Sequence, residues 1–226
     1  MPQQPLLDWQ PVPTPAHQPL DGQYVRLEPL DPALHGDDLW QALQGPASDP
    51  ALWDYLPYGP FSERAAFDSW LSGHAASRDP LFFSVIDLRQ QRAVGLLSYL
   101  RIAPKDGCIE IGHIAFGRAM QRSPASTEAV YLLAKLALGE LGYRRLEWKC
   151  NADNARSMRA AKRLGFSYEG LFRQHMVVKG RNRDTAWFSI LDSEWPACNA
   201  AFALWLAADN FDAEGRQQQR LEDLRQ

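Results

Sequence analysis

The sequence has few cysteines, no long apolar run and no excess of positive charge. Its 3 cysteines among 226 residues, Cys108, Cys150 and Cys198, are too widely spaced for a disulfide framework or a zinc site. No apolar run reaches the length of a bilayer span, and residues 1–20 lack the basic-then-apolar order of a signal peptide. The net charge of −3 gives no reason to expect nucleic acid or an anionic membrane as a partner. We therefore expect a cytoplasmic protein with reduced thiols, no metal, no nucleic-acid partner and no membrane partner.

The length and composition predict one domain with decorated ends. A chain with 46% hydrophobic residues can bury a sizeable core at this length. Residues 1–22 hold six prolines, a density that blocks helix formation and predicts an extended, partly ordered arm. We place the main domain at residues 23–194 and a C-terminal helical extension with a fraying polar tail at residues 195–226. This extension is expected to pack on its own domain, with a dimer contact as the alternative, so the protein is a monomer or a homodimer.

The apolar spacing predicts a mixed α/β layout with a central sheet. Asp31 is a plausible N-cap with Pro32 at the first helical position, and Ser62 is the predicted N-cap of the second helix. Strands are predicted at residues 24–28, 82–86, 93–100, 108–116 and 145–150, with a closing hairpin at 166–178 and 183–191. Helices are predicted at residues 32–43, from 62 onwards, at 126–141, where Gly142 closes the helix, and at 154–164.

One predicted strand runs through a polar turn into a helix, which is an arrangement that can bind anions. The strand at residues 108–116 leads into the turn that begins at Gly117, and the next helix follows at once. Free amides and the positive end of the helix dipole point at a ligand placed there. Two arginines and three hydroxyl residues lie in the same stretch: Arg118, Arg122, Ser123, Ser126 and Thr127. The pattern by itself is common, because most helices follow a polar turn.

Two segments resemble the signature of the GNAT superfamily of N-acetyltransferases. Residues 151–166 read NADNARSMRAAKRLGF and resemble the N-x-x-S/A helix that ends in R-L-G-F. Residues 121–129 read QRSPASTEA and resemble the pyrophosphate loop that leads into Thr-Glu-Ala. With the strand EIGH at residues 110–113, these segments look most like the RimJ/RimL-type branch. The likeness covers residues 22 to 195 in element order and is specific over residues 108 to 192.

The resemblance implies a GNAT-like fold over residues 23–194, in which a central mixed, mostly antiparallel sheet is flanked by helices. It also implies acetyl-CoA as co-substrate. The strand backbone near residues 114–116 would pair with the pantetheine amides, the amides of residues 122–127 would hold the pyrophosphate, and the helix at 154–164 would face the cofactor. The implied cofactor-binding residues are Ile114, Ala115, Phe116, Gln121, Arg122, Ser123, Ala125, Ser126, Thr127, Asn154 and Ser157.

The implied reaction moves an acetyl group to a primary amine by direct attack in a ternary complex. The amine would belong to a protein N-terminus or to a small molecule. A neutral amine requires a base, and the leaving thiolate requires at most a weak acid. Glu110 and His113 are the candidate bases, and Ser157 is the candidate acid. The alternatives are a catalytically weak CoA-binding module and a protein-interaction module that uses the arm and the C-terminal helix.

Three positions depart from the pattern of the superfamily: Pro124, Ser126 and Ala161. Ser126 replaces the second small residue of the loop and keeps its amide, so this departure is tolerable. Pro124 stands where the loop's glycine is expected, and proline has neither an amide donor nor a positive φ. Either that donor is dispensable, or the loop is rebuilt with Ser123 as N-cap and Pro124 at the first helical position. Ala161 stands where many members have a tyrosine acid, so any acid must come from elsewhere.

Several candidates also have plain structural interpretations. Strand alternation leaves Glu110 opposite Ile109 and Ile111, where it could be a solvent-facing carboxylate. The same alternation places His113 on the face of Ile109 and Ile111, where it could be a hydrogen-bonded core histidine. The aromatic segment at residues 53–61 could cover the acceptor or belong to the core. Arg181, Arg183 and Asp184 are expected to make an ion pair beside a turn.

Overall fold

Eight strands form one sheet in the computed structural model, which describes residues 8–225. The strands lie in the order β1-β2-β3-β4-β5-β6-β8-β7, and all neighbours are antiparallel except β5 and β6. The predicted mixed, mostly antiparallel sheet flanked by helices is therefore confirmed. The strands are β1 Leu20–Asp21, β2 Val25–Pro29, β3 Leu81–Asp87, β4 Arg92–Ala103, β5 Cys108–Phe116, β6 Arg145–Asn151, β7 Ser167–Val178 and β8 Arg181–Leu191. The α-helices are α1 Pro32–Gln44, α2 Arg64–Ala75, α3 Pro124–Ala134, α4 Ala155–Arg163 and α5 Trp195–Leu206.

The sheet separates two apolar clusters, one on each face. Helices α1 and α2 cover one face, where Leu39, Leu43, Phe67 and Leu71 are fully buried. Helices α3, α4 and α5 cover the other face, where they pack against the β5 residues Ile109 and Ile111. Full burial of one such side chain stabilises the fold by roughly 1.5–3 kcal/mol. The two layers fix the position of β5 in the middle of the sheet.

The start of α1 agrees with the sequence, whereas the start of α2 does not. Asp31 caps α1, since its carboxylate accepts a hydrogen bond from the Ala33 amide, and Pro32 lies in the first turn. Ser62 was predicted to cap α2, and that prediction is wrong because Glu63 holds the N-cap position. Arg64, at the first helical position, pairs with Asp68 one turn later and with Asp37 on α1, and these ion pairs tie down the helix start.

Helix α3 begins two residues earlier than the predicted residue 126 and changes type before it ends. The six residues that directly follow α3, Lys135–Glu140, form a π-helical stretch. At its end the Leu141 amide donates to the Leu136 carbonyl, five residues earlier. Gly142 closes the helix with a φ of 78°, as predicted.

No helix within residues 8–225 is both long enough and apolar enough to cross a membrane.

The C-terminal segment is helical only as far as Leu206, so the prediction of helix beyond this point is wrong. Helix α5 packs on its own domain and buries Trp195, Phe202 and Trp205 in the cluster that contains α3. Beyond it only the short 3-10 turns Ala208–Asn210 and Leu221–Leu224 are regular. The buried Asn210 side chain replaces helix hydrogen bonds by donating to the Trp205 carbonyl and accepting from the Gln219 amide. The tail is therefore held in place rather than frayed.

The proline-rich arm lies against the domain from residue 8 onwards, while Pro2 and Pro5 lie outside the described residues. The Trp9 indole donates to the Lys105 carbonyl at 2.8 Å, and the Val12 amide donates to the Pro104 carbonyl at 3.1 Å. Further along, His17 Nε2 lies 2.7 Å from the Phe82 carbonyl oxygen. The described part of the arm is thus fixed to β3 and to the β4–β5 turn.

Candidate active site

The sheet opens in its middle, between β5 and β6. These parallel strands pair only over three positions, Cys108 to Glu110 against Arg145 to Glu147. Beyond Glu110, β5 stays paired with β4 and β6 stays paired with β8, so the two strands separate. The edge of β5 from Ile111 to Phe116 then has no strand partner among residues 8–225. Such an edge can pair with an extended, amide-bearing ligand as if the ligand were an added strand.

The turn between β5 and α3 places free amides beside this opening. Ser123 is the N-cap and Pro124 occupies the first helical position, as in the rebuilt loop that the sequence offered as one alternative. The Ser123 hydroxyl donates to the Met120 carbonyl at 2.6 Å, and the Ser126 hydroxyl donates to the Ser123 carbonyl at 2.8 Å. The amides of Ala125 and Ser126 therefore have no acceptor in the described residues, and the helix dipole adds positive potential there.

Arg122 supplies the left-handed residue of this turn. Its φ is 58°, a conformation that glycine adopts without strain. The superfamily's glycine is expected at position 124, so the chain reverses two residues earlier than that pattern requires. Because Pro124 is already in the helix, its missing amide removes no hydrogen bond from the first turn.

Two predicted cofactor residues use their side chains inside the protein. Gln121 Nε2 donates to the Phe116 carbonyl at 3.0 Å and so fastens the turn to the end of β5. The buried Thr127 hydroxyl accepts from Arg163 at 3.0 Å and so links α3 to α4. Any contact of these two residues with a cofactor would therefore be made by their backbone.

The motif residues Asn154 and Ser157 build the start of α4 on the β6 side of the opening. Asn154 is the N-cap, and its side-chain oxygen accepts from the Ser157 amide at 3.0 Å. The Ser157 hydroxyl accepts from the Trp148 indole at 3.0 Å. Trp148 lies on the part of β6 that has separated from β5, so Ser157 borders the opening, where its hydroxyl also lies within hydrogen-bonding reach of the Cys150 thiol.

Glu110 is buried at the point where β5 and β6 separate, so a solvent-facing position is wrong. It is 5% exposed, and its Oε2 accepts from Lys149 Nζ at 2.9 Å and pairs with Arg101 Nε at 3.0 Å. Burial raises the pKa of Glu110, while Lys149 and Arg101 act in the opposite direction. Its second oxygen, Oε1, has no hydrogen-bond partner in the described residues and lies toward Gly112, along the free edge of β5.

His113 faces α1 and α2 rather than Ile109 and Ile111, so the face expected from alternation is wrong. Its φ of 52° and the register shift against β4 mark a β-bulge, which adds one residue and reverses the faces beyond it. The Tyr58 hydroxyl lies 2.9 Å from His113 Nδ1. Burial raises the pKa of Tyr58, so this hydroxyl keeps its proton beside the ring. Burial is also the main reason why the pKa of His113 falls to about 4.

The neutral state of His113 has a measurable consequence for stability. Because its folded-state pKa lies below its ordinary 6.5, its contribution is complete above pH 6.5 and is lost as the pH falls toward about 4. One pKa unit corresponds to 1.4 kcal/mol, so we expect up to about 2–3 kcal/mol of lost stability by pH 4.5. Urea unfolding at pH 7 and pH 4.5 should therefore show a larger loss for the wild type than for His113→Asn. Equal losses would contradict this account.

The aromatic segment is part of the core and also bridges two elements. Trp53 is fully buried and packs edge-on against Tyr58, Phe61 and Trp70. The Tyr55 hydroxyl donates to the Asp153 carbonyl, and Lys179 donates to the Trp53 carbonyl. The segment thus reaches from the α1–α2 side to the loop after β6 and to the β7–β8 turn.

Sequence reasoning missed the partners of Glu110 and misjudged Arg183. Lys149 lies on the polar face of β6 and Arg101 near the end of β4, and only the folded sheet brings them to Glu110. The expected ion pair at the turn is wrong, since Arg183 has no carboxylate partner within residues 8–225. Asp184 instead accepts from the Gln174 amide and from the Asn182 side chain.

Within residues 8–225, no group of three or more His, Cys, Asp and Glu side chains could hold a metal ion.

The sheet, its opening and the helix start beside it define an α/β acyltransferase architecture. Residues 25–167 match the family model described as an acetyltransferase (GNAT) domain, and the chain belongs to this family of enzymes. A solved GCN5-related N-acetyltransferase from Brucella melitensis is 48% identical, with a TM-score of 0.93 over 97% of this chain and 99% of that chain.

Two further relatives support the same family. A solved probable acetyltransferase of the GNAT family from Chromobacterium violaceum is 44% identical, with a TM-score of 0.80 over 87% of this chain and 98% of that chain. The protein named uncharacterized N-acetyltransferase p20 from Bacillus licheniformis is 29% identical over 156 residues, which are 66% of this chain and 84% of the relative. The likeness to these relatives thus extends over most of the chain.

Proposed function

We propose that the protein transfers an acetyl group from acetyl-CoA to a primary amine by direct attack in a ternary complex. The separation of β5 from β6 beside the free amides of α3 is the observation that carries this proposal. The microcin C7 self-immunity acetyltransferase MccE, solved in complex with acetyl-CoA and AMP, shares the fold at 18% identity. Its TM-score is 0.65 over 75% of this chain and 93% of that chain.

The residues around the opening fit an extended thioester with a charged end. The unpaired edge of β5 at residues 114–116 would hold the pantetheine amides, and the amides of Ala125 and Ser126 would hold the pyrophosphate. Acetyl-CoA supplies an acyl group that is already activated as a thioester. In this arrangement the carbonyl and sulfur of the thioester would lie between Glu110 and Ser157.

Glu110 and Ser157 are the side chains best placed for proton movement. Lys149 and Arg101 favour the ionised form of Glu110, whose free Oε1 would orient the amine and accept its proton directly or through water. The Ser157 hydroxyl would donate to the leaving thiolate. His113 fits the role of base less well, because Tyr58 occupies its Nδ1 and its basicity is low.

Cysteine placement supports direct attack over a covalent acetyl-enzyme. Cys150 and Cys198 are buried, and burial raises the pKa of both thiols. Cys108 lies at the paired end of β5, away from the opening. Cys150 lies beside Ser157, but burial raises the pKa of its thiol, so the thiolate that a covalent mechanism requires is disfavoured.

The acceptor is proposed to be a protein N-terminal amine or a small-molecule amine, in line with the RimJ/RimL-type resemblance. The second candidate function is a CoA-binding module without turnover. It is favoured by Ala161, which is fully buried where many superfamily members have a tyrosine acid. The two candidates differ in turnover and not in cofactor binding.

Release of free thiol from acetyl-CoA across peptides, polyamines and amino acids tests the proposed function. We expect Glu110→Gln to lower kcat about 10²- to 10³-fold, since general-base catalysis is typically worth this much. Ser157→Ala is expected to lower kcat about tenfold through loss of a weak proton donor. Glu147→Gln is the matched control, because Glu147 shares Lys149 with Glu110 but lies where β5 and β6 are still paired.

The outcomes separate the candidate functions. Acetyl-CoA binding without turnover on any acceptor would favour the module. No thermal stabilisation by CoA at a hundredfold excess over its dissociation constant, where about 2.7 kcal/mol is expected, would exclude both. Unchanged turnover in Glu110→Gln and Ser157→Ala would show that the proton-transfer residues lie elsewhere.

A further inference from the structure

Arg183 on β8 is a half-buried cation without a counterion. Its Nε is enclosed and has no hydrogen-bond partner, and no hydrogen bond or ion pair of its guanidinium occurs within residues 8–225. Trp187, on the same face of β8, has an enclosed indole N–H that also has no partner in the part of the chain that the structure describes. Enclosed donors without acceptors cost free energy, so native proteins rarely keep them without a reason.

The strand register places Arg183 at the open end of the site. Pairing between β6 and β8 ends with Asn151 opposite Thr185, so Arg183 lies just beyond the end of β6. Trp187 lies opposite Lys149, and Lys149 Nζ sits 3.8 Å from the centre of the Trp187 ring. This is also the face of Glu110, whose carboxylate pairs with Lys149. Arg183 also lies near enough to His113 on β5 to add a smaller effect to the burial that lowers the pKa of that ring.

The charges around the opening do not balance without a ligand. Glu110 is shared by Arg101 and Lys149, Glu147 is shared by Lys149 and Arg145, and Arg145 also pairs with Glu169. These three carboxylates face three cations before Arg183 is counted. Within residues 8–225 no acidic side chain forms an ion pair with Arg183, on which Glu110 acts only at a distance. The planar guanidinium donors match carboxylate and phosphate oxygens, and a partly enclosed site strengthens such bonds.

We propose that Arg183 binds an anionic group, a carboxylate or a phosphate, on the acceptor, which would then carry this anion together with its amine. Glu110 faces the amine and Arg183 faces the anion, on the two sides of the opening. The net charge of −3 would favour cationic acceptors at long range, but the local excess of positive charge decides what binds at the site. The amine part rests on the proposed function, whereas the anion part can be tested by binding alone.

Two matched acceptor pairs test this inference: L-alanine against L-alaninamide, and O-phosphoethanolamine against ethanolamine. The kcat/KM ratio of the anionic to the neutral member is measured for the wild type and for Arg183→Gln. Comparing the same pair in both proteins cancels differences in amine basicity. A charge-assisted hydrogen bond predicts a ratio about ten- to hundredfold lower in Arg183→Gln, through a higher acceptor KM, in at least one pair. The pair that responds distinguishes carboxylate from phosphate.

Arg181→Gln is the matched control, since Arg181 is an exposed arginine two residues earlier on the same strand. It should leave the ratio unchanged, and the melting temperature of Arg183→Gln should not fall, because no protein partner is lost. An equal ratio in all three proteins would overturn the inference. A higher acetyl-CoA KM in Arg183→Gln, with the acceptor ratio unchanged, would overturn it in favour of a cofactor contact.

If no acceptor turns over, the proposed function fails while the inference stays testable. Calorimetric titration of O-phosphoethanolamine and of L-alanine into the protein with CoA bound would then decide. Tighter binding of either probe to the wild type than to Arg183→Gln supports the anion site. Equal binding, or no binding of either probe, would overturn it.

Discussion

Ser126→Glu is expected to weaken acetyl-CoA binding at least about a hundredfold, because two like charges 4 Å apart repel by about 4 kcal/mol near a protein surface. Ser126 is the third residue of α3, and the amides of Ala125 and Ser126 form the proposed pyrophosphate site. A glutamate there would place its own carboxylate where the phosphates bind. The fold should not suffer, since a carboxylate at a helix N-terminus stabilises by about 0.3–1 kcal/mol. Affinity and stability are thus predicted to change in opposite directions.

Calorimetric titration of acetyl-CoA together with thermal unfolding checks this prediction. Ser126→Gln is the control for size, since it has the shape of glutamate without the charge. Ser126→Ala removes only the hydroxyl that donates to the Ser123 carbonyl and keeps the amide. Both controls should bind acetyl-CoA within about tenfold of the wild type, because one neutral hydrogen bond is worth about 1 kcal/mol. If Ser126→Glu binds as tightly as Ser126→Gln, the pyrophosphate does not lie at this helix start.

Glu128→Ala is expected to lower the free energy of unfolding by about 3–5 kcal/mol, because it leaves three backbone donors without an acceptor. The buried Glu128 carboxylate accepts from the amides of Gln23, Tyr24 and Val25 at 2.7, 2.7 and 2.8 Å. These bonds hold the β1–β2 turn against α3. A loss of this size is a large part of the roughly 5–15 kcal/mol that stabilises a typical domain.

Urea unfolding measures this effect, with Glu140→Ala as the control. Glu140 is exposed and lies 4.0 Å from Lys135, so its removal should cost less than about 1 kcal/mol. Gly22→Ala should also destabilise, since a Cβ there would lie 2.6 Å from the Glu128 carboxylate. Folded Glu128→Gln is expected to bind acetyl-CoA normally, because Glu128 faces the β1–β2 turn. A selective loss of cofactor affinity in Glu128→Gln would instead assign Glu128 to the cofactor site.

The elements that the sequence predicts correctly are those whose signals lie in neighbouring residues of the chain. Asp31 followed by Pro32 marks a helix start, Gly142 marks a helix end, short apolar runs mark β3 and β4, and alternation marks the first half of β5. Each of these signals depends on neighbours along the chain. His113 was misplaced because a period of two cannot reveal the extra residue of a bulge. The segment after Leu206 was misread because tertiary bonds of Asn210 replace helix hydrogen bonds.

The candidate site was predictable where the backbone defines it and not where side chains do. The motif in residues 121–129 indicates a helix start with free amides, and α3 has them. The side chains of the same motifs have internal roles that depend on distant partners. Thr127 bonds Arg163, Glu128 bonds residues 23–25 and Ser157 bonds Trp148. The partners of Glu110 likewise come from other strands, so its burial could not be read from β5 alone.

Amide-resolved hydrogen exchange of the full-length protein, with and without saturating acetyl-CoA, tests the proposed binding site most directly. Bound cofactor should slow exchange along the free edge of β5, residues 111–116, and at Ala125 and Ser126. Exchange in β3, residues 81–87, should stay unchanged, because both of its edges are already paired. Unchanged exchange at residues 111–116 in the saturated protein would contradict the proposal that acetyl-CoA binds where β5 and β6 separate.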